Sequence, residues 1–253
     1  MNSKNLSSVV LIPTRLGSTR LPSKPLLEIK KIPLIIHVYR RAKLSKKTND
    51  VIICCDDKKI LQIAKKYNAK AILTSKKHKN GTERINEAYK KLKKKYDLIV
   101  DVQGDEPLLD PKHIDKVIEF HKKNINVDII LPYLKIHNAD NNNIVKILTN
   151  IRNDVIFLSR SKLPLEFKNK NIDYKKHLSI ISFLPSALKR FNQYPKTPLE
   201  KVEDIELLRA IEIGLKIKTF ELKGDSFSID ILDDYKKAIT KFQLDKIFPK
   251  YKI

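Results

Sequence analysis

The sequence predicts an α/β protein with a mostly parallel sheet flanked by helices, and with a small antiparallel sheet inserted in its second half. In the first 125 residues, short β-branched and apolar runs alternate with segments of helical periodicity. Because parallel strands need crossover connections, this alternation is typical of a parallel sheet. After residue 125 several strand-like runs follow one another, which indicates antiparallel additions.

The elements follow this division along the chain. The predicted strands of the first half are 8–14, 50–55, 70–74 and 96–103, and its predicted helices are 33–44, 58–66, 83–94 and 111–122. The second half adds predicted strands at 128–136, 144–148, 155–159, 178–183 and 216–222, and predicted helices at 186–192, 199–213 and 232–248. No Gly/Ser-rich linker separates the halves, so we expect one domain over residues 1–253 with an appended insertion around 125–195.

The charge of the chain first suggests a nucleic-acid partner, since the formal net charge is +23. Only nine of the 52 basic residues are arginine, however, and the lysines are scattered through predicted helices. Such scatter is typical of solvated helix faces. The sequence has no aromatic-plus-basic motif or helix-turn-helix signature, so we expect no specific nucleic-acid partner, and a basic nucleic-acid-binding module is a distant alternative.

The two cysteines bear on the compartment. Cys54 and Cys55 are neighbours in a predicted strand and should point to opposite faces, which excludes an ordinary disulfide between them. With no C-x-x-C spacing and no signal-peptide pattern, the sequence predicts a cytoplasmic protein. No apolar run reaches the ~20 residues of a membrane span, so we expect no membrane insertion.

The loop after the first strand, residues 13–25, is rich in cations and hydroxyls. It contains Arg15, Arg20 and Lys24 together with Gly17. Loops at the carboxyl end of the first strand bind ligands in open α/β sheets, and Arg, Lys and backbone N–H groups suit a polyphosphate. The loop matches neither a Walker motif nor G-x-G-x-x-G, and a merely solvated basic loop is the alternative at this point.

A second polar cluster, residues 78–84, opens a predicted helix. Thr82 is a possible cap, and Arg84 lies in the first turn. An arginine there opposes the helix dipole unless an anion is near, which favours a role in ligand binding. His78 is a candidate catalytic residue, although an exposed loop histidine is the favoured interpretation.

The third cluster, residues 101–107, follows a buried predicted strand. It contains three carboxylates, Asp101, Asp105 and Glu106. Carboxylates at the carboxyl end of a strand suit a hard cation such as Mg²⁺. Ordinary turn chemistry is the alternative, since Gly-Asp and Glu-Pro are common turn formers.

These clusters together carry a resemblance to a known family. Arg15, S-T-R-L-P-x-K-P at 18–25, H-x-x-G-T-E-R at 78–84 and Q-G-D-E-P at 103–107 occur in the order and spacing found in the cytidylyltransferases that act on 3-deoxy-manno-octulosonate (Kdo). Later segments also resemble that family: 157–161 with Pro164, 198–209, and Asp230. The likeness runs from about Val9 to Ala238.

The resemblance implies a glycosyltransferase-A-like sheet of the nucleotide-diphospho-sugar transferase type. It implies the reaction of CTP with Kdo to give CMP-Kdo and pyrophosphate, for lipopolysaccharide or capsule synthesis. Mg²⁺ is the implied cofactor, and a homodimer formed through the small-sheet insertion is the implied assembly. A cytidylyltransferase for 8-amino-Kdo or for a nonulosonate is the alternative within the class, and a catalytically dead relative is a further one.

The resemblance also assigns roles to residues, each named at its position in this chain. The implied catalytic residues are Arg15, Lys24 and Asp105, and the implied nucleotide-binding residues are Arg15, Arg20, Lys24, Gly81, Thr82 and Arg84. The implied sugar-binding residues are Gln103, Arg160, His177 and Glu206, and the implied Mg²⁺ ligands are Asp105 and Asp230. Arg160 suits a carboxylate because its planar fork binds bidentately.

The chain departs from the family pattern mainly on the sugar side. Ile181 replaces a tyrosine, Leu207 replaces a glutamine and Asn80 replaces a small residue, and the glycine, threonine and proline around Asp230 are absent. A site built around a tyrosine hydroxyl discriminates differently without it. Sequence drift and an altered sugar acid are both open explanations, and drift is favoured.

Overall fold

A computed structural model describes residues 6–18, 20–168 and 172–251 of the chain. Within these ranges the strands are β1 Ser8–Thr14, β2 Glu28–Ile29, β3 Ile32–Pro33, β4 Asp50–Cys55, β5 Ala71–Leu73, β6 Leu98–Val102, β7 Ile129–Ile130, β8 Tyr133–Ile136, β9 Lys146–Thr149, β10 Val155–Ser159, β11 Tyr174–His177, β12 Ile180–Phe183 and β13 Ile217–Lys218. The helices are α1 Leu34–Lys43, α2 Lys58–Lys66, α3 Gly81–Lys91, α4 Pro111–Lys123, α5 Pro185–Phe191, α6 Pro198–Glu203, α7 Glu206–Glu212 and α8 Leu232–Lys241. Short 3₁₀ turns cover Lys24–Leu26 and Phe248–Lys250.

The main sheet has seven strands in the order β13-β7-β12-β6-β1-β4-β5. β1 pairs in parallel with β4 and β6, and β4 pairs in parallel with β5. β12 is antiparallel to both β6 and β7, and β13 is parallel to β7. The predicted largely parallel sheet is therefore confirmed, with β12 as the antiparallel exception.

Helices cover both faces of this sheet because its central strands are apolar on both sides. All seven residues of β1 are buried, and they alternate between two core clusters: Val9 and Leu11 belong to one, Val10 and Ile12 to the other. Cys54 and Cys55 also fall in opposite clusters and are both free thiols. The prediction that they face opposite ways is confirmed.

A second, four-stranded sheet has the order β10-β9-β11-β8 and is antiparallel throughout. Its strands lie between residues 133 and 177, inside the range 125–195 expected for the insertion. The single predicted strand 128–136 is wrong, because β7 belongs to the main sheet and β8 to the small one. The chain crosses between them at Pro132, which cannot donate a hydrogen bond to a ladder.

Other element boundaries also differ from the prediction. The predicted helix 199–213 is two helices, because Asp204 adopts left-handed geometry with φ 49° and ends α6. The predicted helix 232–248 ends at Lys241, and the strand predicted at 216–222 is paired as a strand only over β13. The β2–β3 hairpin and β11 were not predicted. Within the described ranges, no helix is long and apolar enough to cross a membrane.

Candidate active site

The three polar clusters meet in one pocket of about 330 Å³ beyond the carboxyl ends of β1 and β6. The physical reason is that the carboxyl ends of parallel strands lie at the same edge of a sheet. The residues that line the pocket are Pro13, Thr14, Arg15, Ser18, Arg20, Lys24, Pro25, His78, Lys79, Asn80, Gly81, Arg84, Gln103, Gly104, Asp105, Lys196, Asp204, Glu206 and Asp230.

Lys24 is the best-anchored cation of the first loop. Its Nζ donates hydrogen bonds to Asp105 Oδ2 at 2.8 Å and to the Ile229 carbonyl at 2.7 Å, and it lies 3.5 Å from Asp230 Oδ1. Arg20 Nη2 donates to the same Asp230 oxygen at 3.0 Å. Two carboxylates from distant parts of the chain thus converge on one cationic atom. Thr19, which belongs to the same motif, lies outside the described residues.

Two glycines let the loops approach this closely. A Cβ at Gly104 would lie 2.8 Å from the Pro13 carbonyl oxygen, and a Cβ at Gly81 would lie 3.2 Å from Pro13 Cγ. The end of β1 therefore packs against both the loop after β6 and the start of α3. A side chain at Gly104 would force them apart.

The start of α3 is capped by Asn80, not by Thr82, so the prediction that Thr82 is the cap is wrong. Asn80 Oδ1 accepts a hydrogen bond from the Glu83 N–H at 2.8 Å. Thr82 instead donates through its hydroxyl to Glu206 Oε2 at 2.5 Å, which ties α3 to α7. Burial raises the pKa of Glu206, and the hydrogen bonds from Thr82 partly offset that rise.

Arg84 lies on the pocket wall but is nearly fully buried. Its Nη1 donates to Thr74 Oγ1 at 2.8 Å and to the Ser75 carbonyl at 3.2 Å, and its Nη2 lies 3.5 Å from Asp56 Oδ2. The anion that a first-turn arginine requires is therefore Asp56 of the protein itself. The role of Arg84 near the nucleotide stays a prediction.

His78 is half-buried at the pocket rim rather than freely exposed. Its Nε2 hydrogen-bonds Glu87. Although burial alone raises the pKa of Glu87, its contacts with Lys91, the Ser75 N–H and His78 lower the pKa to about 2. His78 is thus held by a carboxylate at the pocket entrance.

The three carboxylates of the third cluster lie in different surroundings, and the Mg²⁺-binding role of Asp105 stays a prediction. Only Asp105 lines the pocket. Asp101 is 1% exposed and its Oδ2 accepts from Gln103 Nε2 at 3.1 Å; burial, with Glu206 and Asp105 nearby, raises its pKa well above the usual range. Glu106 is buried beside Ser226, and burial followed by the charge of Asp105 raises its pKa to about 7.

Arg160 and His177 are not among the residues that line the pocket. The guanidinium of Arg160 donates to the carbonyls of Glu203 at 2.8 Å, Asp204 at 3.2 Å and Asn142 at 3.3 Å. His177 ends β11, and burial lowers its pKa to about 4. Both lie on the small-sheet side of the molecule, and their sugar-binding role stays a prediction.

Two lining residues were missed by the sequence argument. Lys196 precedes α6 and Asp204 ends it, and their side chains lie 3.4 Å apart. The motif residues Glu200 and Arg209, by contrast, form a buried ion pair with contacts of 2.7 and 2.6 Å. That pair holds α6 against α7, and so the segment 198–209 shapes the pocket partly through its structural residues.

Two of the departures from the family pattern lie in the core. Ile181 and Leu207 are 6% and 2% exposed and belong to the same apolar cluster. In the main sheet Ile181 is the cross-strand partner of Asp101. Neither residue lines the pocket, so any effect on substrate choice has to act through a neighbour.

The fold and the site define a nucleotidyltransferase. A basic loop at the carboxyl end of the first parallel strand faces two convergent carboxylates, a combination suited to a nucleoside triphosphate. A family model described as cytidylyltransferase matches residues 9–217.

Individual relatives narrow the class. A 3-deoxy-manno-octulosonate cytidylyltransferase of Thermodesulfovibrio yellowstonii is 39% identical over 247 residues, covering 91% of this chain and 96% of its own. An 8-amino-3,8-dideoxy-manno-octulosonate cytidylyltransferase of Shewanella baltica is 32% identical and covers 95% and 100%. A solved structure of CMP:2-keto-3-deoxy-manno-octonic acid synthetase complexed with CTP superposes with a TM-score of 0.89 at 30% identity, covering 94% and 99%. The chain belongs to the 3-deoxy-manno-octulosonate cytidylyltransferase family, which confirms the resemblance found in its motifs.

Proposed function

We propose that this protein transfers the cytidylyl group of CTP to Kdo, giving CMP-Kdo and pyrophosphate, for the synthesis of lipopolysaccharide or capsule. The convergence of the Lys24 ammonium, Asp105 and Asp230 beyond β1 and β6 is the observation that carries the proposal. Relatives named for this activity span almost the whole chain.

In the chemical step, the protein mainly positions the two substrates and neutralises the charge of the phosphates. The anomeric hydroxyl of the sugar acid attacks the α-phosphorus in line, the bond from that phosphorus to the bridging oxygen breaks, and pyrophosphate leaves. Arg15, Arg20 and Lys24 all line the pocket, and we expect their positive charges to hold the triphosphate. Cations fixed before the reaction stabilise the charge that develops on the leaving pyrophosphate.

The carboxylates Asp105 and Asp230 fit Mg²⁺. Both approach one cationic atom, the Lys24 ammonium, so their oxygens already face a common point. No group of three or more acidic, histidine or cysteine side chains suited to a metal occurs in the part of the chain that the structure describes. Two carboxylates suffice, since Mg²⁺ usually takes its other ligands from phosphates and water. When bound, Mg²⁺ supplies charge neutralisation and polarisation of the phosphates.

The sugar acid is proposed to occupy the side of the pocket near α7. Gln103 and Glu206 both line the pocket, and Glu206 begins α7, where it accepts the hydrogen bond from the Thr82 hydroxyl. Arg160 would meet the sugar carboxylate only after exchanging some of its carbonyl partners. Because two relatives are named for 8-amino-Kdo, that sugar acid is the second candidate substrate.

We further propose that the protein works as a homodimer in the cytoplasm. Free, buried cysteines suit the reducing conditions of the cytoplasm.

The surface proposed for the dimer lies at one edge of the small sheet. Large apolar side chains are exposed in β10, an edge strand of that sheet, in the loops beside it and in α6: Ile151, Ile156, Leu165, Phe167 and Val202. α6 is tied to β10 by the hydrogen bond of 2.7 Å from Ser159 Oγ to Glu203 Oε1. Light scattering after gel filtration should give a dimer for the wild type and a monomer for Ile156→Asp; a monomeric wild type would contradict the proposal.

The activity is tested by pyrophosphate release from CTP and Mg²⁺ with Kdo, 8-amino-Kdo or N-acetylneuraminate, against a control without sugar. The expected result is release with Kdo, little with N-acetylneuraminate and none without sugar. Preference for 8-amino-Kdo would select the second candidate. No release with any sugar acid, by protein shown to be folded, would refute the proposal. Asp105→Ala should lose roughly 10²-fold or more in kcat, since it removes a charge-organising group.

A further inference from the structure

Asp101 is a carboxylic acid in an apolar row of the main sheet. It lies in β6 between Leu11 of β1 and Ile181 of β12, and cross-strand partners share one face of a sheet. Both neighbours belong to the apolar core cluster on that face, and Asp101 itself is 1% exposed. Burial of a carboxyl group among apolar side chains opposes folding.

The polar contacts of Asp101 are few. Its Oδ2 accepts a hydrogen bond of 3.1 Å from Gln103 Nε2, while its Oδ1 has no hydrogen-bond partner among the described residues. Asp101 does not line the pocket, so it is not placed to touch a metal ion or substrate. Its one evident effect is on the side chain of Gln103.

Gln103 does line the pocket, on the side proposed for the sugar acid. Because its Nε2 is bound by Asp101, the carbonyl Oε1 of the amide is left as the acceptor that it can offer to a ligand. A carboxyl oxygen can accept this bond whether or not the acid carries a proton. An amide without such a partner could rotate by half a turn and present its donor instead.

We infer that Asp101 is a positioning residue for the sugar acid: it fixes the Gln103 amide so that Oε1 accepts a hydrogen bond from a substrate hydroxyl. The inference rests on the proposed function, since it assigns Gln103 to a hydroxyl-bearing substrate. The buried carboxyl group of Asp101 thus destabilises the core, while its hydrogen bond to Gln103 improves the selectivity of the pocket for its substrate.

The test measures KM for the sugar acid and for CTP separately in Asp101→Leu, Asp101→Asn, Gln103→Ala and the double variant Asp101→Leu/Gln103→Ala. Loss of one neutral hydrogen bond predicts a KM for the sugar acid roughly 3- to 10-fold higher in Asp101→Leu, with KM for CTP unchanged. Asp101→Asn should recover most of this loss, because its amide oxygen also accepts from Gln103. The double variant should match Gln103→Ala, since the two residues act as one unit.

Stability separates positioning from a structural role. Both Asp101→Leu and Asp101→Val remove a buried carboxyl group from between the apolar residues Leu11 and Ile181, so neither variant should melt lower than the wild type. A lower melting temperature with both KM values raised, or additive effects in the double variant, would overturn the inference.

The orientation of the amide can be followed without turnover. In ¹⁵N-edited NMR spectra, the two side-chain N–H signals of Gln103 should be well separated in the wild type and should move toward the solvent-exposed positions in Asp101→Leu. Unchanged Gln103 signals would refute the inference even if the substrate proposal stands. A wild type inactive with every sugar acid but showing these NMR changes would refute the substrate and leave the positioning contact supported.

Discussion

Gly104→Ala tests the close packing of the loops that build the pocket. The added Cβ would lie 2.8 Å from the Pro13 carbonyl oxygen, about 0.6 Å short of the 3.4 Å at which ordinary contact begins. It would also lie 3.2 Å from Ile35 Cδ1 and 3.3 Å from Thr14 Cβ. To remove these short contacts, the end of β1 has to move away from the loop after β6. This movement shifts the basic loop at residues 13–25 relative to Asp105.

Overpacking of this kind costs about 1–3 kcal/mol of unfolding free energy, and each kcal/mol lowers the melting temperature by roughly 2–4 °C in a chain of this size. A shift of about half an ångström between catalytic groups should lower kcat by roughly 10-fold or more, given that 1 Å can cost 10²-fold. Thermal unfolding and pyrophosphate release measure the two effects. Gly17→Ala is the matched control, because its Cβ would meet nothing within 4 Å. Equal behaviour of the two variants would refute the packing argument.

The remaining predictions concern charge, stability, pH and specificity. Lys24→Ala should lower kcat by roughly 10²-fold or more with little change in melting temperature, because it removes a fixed cation from the pocket. Arg209→Met should cost about 3–5 kcal/mol in chemical denaturation, because it leaves Glu200 buried without its partner. Burial lowers the pKa of His121 from 6.5 to about 4, so the unfolded chain binds the proton first, and His121 by itself should contribute a loss of about 3 kcal/mol of stability between pH 6.5 and 4, which His121→Gln should remove. Ile181→Tyr should change the ratio of kcat/KM between Kdo and 8-amino-Kdo, since a hydroxyl would enter beside Asp101.

Each of these has a contradicting result. Near-normal turnover in Lys24→Ala would remove its assigned role, and a loss below about 1 kcal/mol in Arg209→Met would mean that the buried pair contributes little. An unchanged acid slope in His121→Gln would place the titration elsewhere. Identical sugar ratios in a folded Ile181→Tyr protein would favour drift at that position.

The arrangement of the nucleotide side could be predicted from local sequence. Lys24, Gly81 and Asp105 each lie in a segment that follows the carboxyl end of a parallel strand, and parallel strands bring such segments to one edge of the sheet. Asp230 is different, because only its resemblance to a family position placed it there; no local pattern links it to Lys24, from which it is separated by most of the chain.

Contacts between distant side chains account for what the sequence did not predict. The partner of Arg84 is Asp56, which lies 28 residues earlier in the chain, and no periodic pattern links the two positions. The helix break at Asp204 depends on a left-handed backbone in a residue other than glycine. Pro132 lies where the chain passes from the main sheet to the small sheet, but a proline in a strand-like run does not by itself show that the strands on its two sides belong to different sheets.

The most direct test of the account is ³¹P NMR of CTP, Kdo and Mg²⁺ incubated with the protein, with inorganic pyrophosphatase omitted. The account predicts loss of the three CTP signals and growth, in equal amounts, of a phosphodiester signal from CMP-Kdo and a pyrophosphate signal, only when Kdo is present. Unchanged CTP signals, or CDP and inorganic phosphate in place of the phosphodiester, would contradict cytidylyl transfer to the sugar acid.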